Sequence, residues 1–148
     1  MRMFHYRVVL PALCLAASLD LAAAEFNITI EARAAGRRQT SASGQNPPAL
    51  AVKRGETLSV QWTATNPAPG STLADVTMHA VLGKDGAPAA AALYEGAVNL
   101  DFRPGEQGSG SFRMPMVEPG NYVLRVETIG IRAKAGAEAF ALMKVMVQ

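Results

Sequence analysis

The sequence predicts an all-β fold, an antiparallel β-sandwich of about seven strands. Three observations carry that expectation. Apolar and polar residues alternate at period two through several segments, Pro/Gly-rich turns recur between those segments, and no stretch sustains the 3.6-residue period of an amphipathic helix.

The chain opens with Met1-Arg2-Met3-Phe4-His5-Tyr6-Arg7, runs apolar through residues 8–17, and reaches Ala22-Ala23-Ala24. A basic start, an apolar run and small residues before a cut describe a secretory signal over residues 1–24, cleaved before Glu25. A membrane anchor is not expected, because a span needs roughly 20 apolar residues and Pro11 and Asp20 interrupt a shorter run. Cys14 follows Leu13 inside the apolar run, which does not suit lipidation. The expected location is periplasmic or secreted. Residues 25–148 are then a single domain, long enough to bury a core without disulfides.

Cleavage discards Cys14, the only cysteine, and His5, leaving His79 as the sole imidazole. Disulfides and thiol catalysis go with them. Losing Arg2 and Arg7 against Asp20 takes the formal net charge from +2 to about +1, which gives no footprint for nucleic acid.

Along the remaining chain, Phe26, Ile28 and Ile30 share one face of a first strand. Residues 35–48, rich in Gly, Ser, Gln and Pro and containing Arg37-Arg38, read as a flexible loop. Leu50-Ala51-Val52 is a short extended piece. The clearest strand is 57–65, with Leu58, Val60, Trp62 and Ala64 facing inward and Trp62 as core centrepiece. Asn66-Pro67-Ala68-Pro69-Gly70 ends it. In 75–82, Val76, Met78, Ala80 and Leu82 point inward and Thr77, His79 and Val81 outward. Residues 87–92 are alanine-rich but too short, with Pro88, for a helix. Weak strands at 93–98 and 99–102, another at 111–116, a Pro-Gly turn at Glu118-Pro119-Gly120-Asn121, a strand at 122–127 and a last one at 139–147 complete the set.

Gly55-Glu56-Thr57-Leu58-Ser59-Val60-Gln61-Trp62-Thr63-Ala64-Thr65-Asn66, followed by Asp75-Val76-Thr77-Met78, resembles the second and third strands of bacterial immunoglobulin-like domains of the fibronectin III and CARDB kind. Pro119-Gly120-Asn121-Tyr122-Val123-Leu124-Arg125-Val126 is similar to their penultimate strand. The resemblance implies an immunoglobulin-like antiparallel β-sandwich with Tyr122 as the corner tyrosine. It implies no activity, since such domains serve many functions.

Catalytic sets are scarce. Asp75 lies four residues from His79 on one strand, about 13 Å away at about 3.3 Å per residue, so the two do not touch. Glu95, Asp101 and Glu106 occupy one polar region, and surface solubility explains them better than a paired-carboxylate hydrolase site. Met78-His79 with Met114-Pro115-Met116 resembles periplasmic copper chaperones built on β-sandwiches. A Cu(I) site of His79, Met114 and Met116 is therefore the alternative reading. Period two argues against it, placing Met78 inward and His79 outward, and likewise setting Met143 and Met146 on opposite faces. The match of Asn27-Ile28-Thr29 to a glycosylation sequon reads as chance.

The expectation is an exported, non-enzymatic module without a cofactor that binds a protein or cell-envelope partner or serves a structural role. Its contacts would lie on loops around 35–48, 66–74 and 83–92, or on an exposed edge strand.

Overall fold

A computed structural model describes residues 27–66, 73–129 and 139–148. The expected secretory signal over residues 1–24, Phe26 and most of the 66–74 loop lie outside the described residues. The described chain is all-β, with nine strands and one short 3-10 turn at Ala89–Ala91. The strands are β1 (Asn27–Ala34), β2 (Arg37–Ala42), β3 (Ala49–Val52), β4 (Thr57–Thr65), β5 (Leu73–Lys84), β6 (Tyr94–Phe102), β7 (Gln107–Pro115), β8 (Gly120–Ile129) and β9 (Phe140–Val147).

They form two sheets, ordered β2-β1-β4-β7 and β3-β9-β8-β5-β6. The alternation read from the sequence is what closes them into a sandwich. Ile28, Ile30, Leu58, Val60, Trp62 and Phe112 from the first sheet share one buried cluster with Val76, Met78, Leu82, Tyr122, Leu124 and Met143 from the second. At roughly 1.5–3 kcal/mol for each fully buried large apolar side chain, this shared layer is the main force holding the sheets together.

Three features differ from the sequence expectation. Residues 35–48, expected as a flexible loop, carry β2, paired antiparallel with β1 from Thr29↔Ala42 to Ala34↔Arg37. Arg37-Arg38-Gln39-Thr40-Ser41-Ala42 has no apolar alternation because it is an edge strand with little to bury, so backbone pairing alone defines it. The two weak strands at 93–102 are one, β6, paired with β5. Finally, β3 runs parallel to β9, from Ala49↔Lys144 to Val52↔Val147, so the five-stranded sheet is mixed rather than purely antiparallel.

The sandwich has a tied side and an open side. On the first, Ser41 Oγ of β2 donates to the Leu142 carbonyl of β9 at 2.5 Å, joining the two sheets. On the second, the free edges of β6 and β7 lie near each other.

Candidate functional site

The open side holds a slot of about 260 Å³ lined by Trp62, Met78, Tyr94, Gly96, Val98 and Gly110 together with Ala97, Ser109 and Ser111. Its origin is local. Gly110 pairs with Trp62 across the β4–β7 ladder, and a Cβ on Gly110 would meet Trp62 Cζ2 at 2.4 Å. The indole therefore occupies the space a side chain at Gly110 would need, as when an aromatic ring covers an edge-strand glycine. Tyr94 on β6 stacks against Phe112 on β7, with ring centroids 3.8 Å apart and planes inclined by 11°. Val98 stays 40% exposed at the mouth. The slot is smaller than the roughly 300–1,000 Å³ of drug-sized ligand sites. It has room for a side chain.

Beside the slot runs the free edge of β7. Met116 N–H donates to the Glu56 carbonyl and Asn66 N–H to the Glu106 carbonyl, so even-numbered positions form the hydrogen-bonded pairs of the β4–β7 ladder. By antiparallel alternation, Gln107, Ser109, Ser111 and Arg113 turn their backbone N–H and C=O groups away from β4. No described strand pairs with that side.

On the outer face of the other sheet, His79 stands between two carboxylates. Its Nε2 lies 2.8 Å from Glu95 Oε1 on β6 and its Nδ1 3.3 Å from Glu127 Oε1 on β8. Arg125 Nε donates to the second Glu127 oxygen at 2.5 Å. Partial burial pulls the imidazole pKa down, but hydrogen bonds to Glu95 and Glu127 and their charge outweigh it, and the net displacement is upward. Burial pushes Glu127 up, while the hydrogen bonds and charge of Arg125 and His79 hold it below the usual carboxylate value.

The remaining candidates separate. His79 faces outward on the five-stranded sheet, whereas Met114 sits on β7 of the other sheet, packed against the core, and Met116 is buried within it. Stacked sheets lie about 10 Å apart, so His79, Met114 and Met116 do not converge on one ion. Met78 and Met143 are core residues, and Met146 is exposed on the opposite face from Met143. Among the described residues no cluster of three or more His, Cys, Asp or Glu side chains is arranged to hold a metal ion. Glu95 and Asp101 are six residues apart on β6, about 20 Å at strand rise, and Glu106 Oε2 accepts the Arg103 N–H at 2.7 Å within its turn. Arg37 pairs with Glu56 and Arg38 with Glu31. Sequence reasoning missed Glu127 as a partner of His79. Its outward position was readable from Tyr122, Leu124 and Val126, but which strand lies beside it was not.

No protein-family model matches the sequence, and no curated protein matches it. Among solved structures the chain is similar to a β-glucosidase from Listeria innocua, at 16% identity and a TM-score of 0.39. That match covers 80% of this chain but only 16% of the β-glucosidase chain.

Proposed function

We propose that the chain is an exported, non-catalytic immunoglobulin-like module that binds a protein or cell-envelope partner by accepting an extended segment along β7. Residues 1–24 support the exported location. Strand placement supports the immunoglobulin-like reading: β4 and β7 take the places of B and E in one sheet, and β5, β8 and β9 those of C, F and G in the other. Tyr122 supports it too, donating its hydroxyl to the Glu118 carbonyl at 2.8 Å in the manner of a corner tyrosine.

The observation that carries the binding role is that β7 offers the longest run of described edge without charge, proline or bulge, with its own Arg113 and Pro115 confined to one end. Exposed edges are ordinarily blunted by charge, shortness, proline or a bulge. Here β2 carries Arg37 and Arg38, and β3 has four residues. Edge strand β6 carries Glu95 and Asp101, and its pairing with β5 shifts register between Leu73 and Val76. By contrast β7 pairs with β4 in unbroken register from Thr57↔Pro115 to Thr65↔Gln107, and Gln107-Gly108-Ser109-Gly110-Ser111-Phe112 contains neither charge nor proline. An added strand would find free N–H and C=O groups and a slot for one inward side chain, the combination strand addition uses for affinity and specificity.

Ser111→Pro tests this, because the Ser111 N–H points away from β4 and its loss leaves the ladder intact. The variant should keep the wild-type circular dichroism and melting temperature and lose a partner that wild type retains from an envelope fraction. Equal retention by both proteins would overturn the reading, as would a partnerless monomer with measurable turnover.

A further inference from the structure

The edge site leaves His79 unused. A neutral imidazole owns one N–H, so with a carboxylate facing each ring nitrogen it satisfies one and turns a lone pair toward the other, whereas the imidazolium donates to both. We propose that His79 is a proton-operated clasp, which when charged fastens edge strand β6 to β5 and β8 through Glu95 and Glu127, and when neutral releases the β6 arm.

The surrounding charges decide which arm yields. On β8, Glu127 is 20% exposed and keeps Arg125 as a second cation, and the Arg125 guanidinium itself lies 4.5 Å over the Phe140 ring of β9. On β6, Glu95 is 61% exposed and meets no cation but His79 among the described residues. Ala97 stands opposite His79, and Asn99 accepts the Thr77 hydroxyl at 2.7 Å. Farther off on the same face are Asp101 of β6 and Lys144 of β9. Once the ring is neutral, the like-signed contact is relieved most cheaply by letting Glu95 swing into water. The remaining proton then sits on Nδ1, toward Glu127.

The pH window follows from the signs. The folded pKa of His79 is raised, so its contribution to stability is fully present below the unfolded value of about 6.5 and is lost as pH rises through the folded value. The folded pKa of Glu127 is lowered, so its contribution is present above the unfolded carboxylate value and is lost only as pH falls through the acid range. The clasp is closed between those limits and opens on the alkaline side.

NMR of the full chain between pH 5 and 9 tests this, with the His5 ring identified by its loss in His5→Ala. The expected result is a His79 midpoint above about 6.5, an Nδ1–H tautomer above that midpoint, and amide protection in β6 that falls several-fold across it. Glu95→Gln should lower the midpoint, and in His79→Gln the β6 protection should no longer depend on pH. A midpoint at or below about 6.5, an Nε2–H tautomer, or β6 protection that ignores pH in wild type would overturn the clasp. No partner is present in any of these measurements, so their failure leaves strand addition at β7 standing.

Discussion

Tyr122 shows how much a single side chain can do at the start of a strand. It is 1% exposed, among the largest fully buried groups, and its hydroxyl donates across the Glu118-Pro119-Gly120-Asn121 turn to the Glu118 carbonyl. Tyr122→Phe keeps the ring in the core and removes the bond, so it should cost about 1 kcal/mol, read as a lower denaturant midpoint at unchanged slope. An unchanged midpoint would mean that water replaces the bond without loss. Tyr122 and Trp62 were legible in the sequence because each sits at an inward position of an alternating run. The two carboxylates flanking His79 were not legible as a set. Alternation gives the face on which each residue lies, but the neighbours of β5 follow from strand order, which depends on chain crossings that leave no local mark.

At the scale of elements, turns fix what the strands leave open. The β1–β2 hairpin closes on Ala35 and Gly36, whose φ angles are 44° and 81°. Two consecutive left-handed residues make the tight turn that matches strand twist, and asparagine is favoured over alanine at the first. Ala35→Asn should therefore raise stability by roughly 0.5–1 kcal/mol, since a Cβ-bearing residue without a local hydrogen bond pays roughly 1–2 kcal/mol for the left-handed region and asparagine recovers part of it. A reduced unfolding free energy would show that Ala35 makes a contact outweighing the strain. Two further turns are built alike. In Lys53-Arg54-Gly55-Glu56 and Arg103-Pro104-Gly105-Glu106, the glutamate carboxylate accepts the N–H three residues earlier, at 2.8 and 2.7 Å. Its own N–H returns to the carbonyl of that residue at 3.0 Å in each case. These turns were readable from their Gly and Pro positions. Strand β2 was not, because Arg37–Ala42 buries too little to write a period into its residues.

For the whole molecule, the contrast between the tied and open sides raises the question of whether the two sheets come apart independently. The tied side has the Ser41–Leu142 hydrogen bond between sheets, and the open side has the Tyr94–Phe112 stack, the slot and, at one end, the Asn66 side-chain amide donating to the Phe102 carbonyl at 3.3 Å. Against that asymmetry stands the core itself, one contiguous cluster that reaches from Ile28 and Leu58 through Trp62 and Met78 to Leu124 and Val145. Neither sheet can expose its inner face without stripping the other, and a small domain so built unfolds in one cooperative step. Trp62 is the only tryptophan and lies at the open side, so its emission reports the region where early loosening would begin. Circular dichroism reports all strands together. Denaturant unfolding followed by the two signals should give superimposable transitions with one midpoint. A fluorescence transition that precedes the loss of strand signal would show instead that the β6/β7 side opens as a separate unit before the shared core gives way.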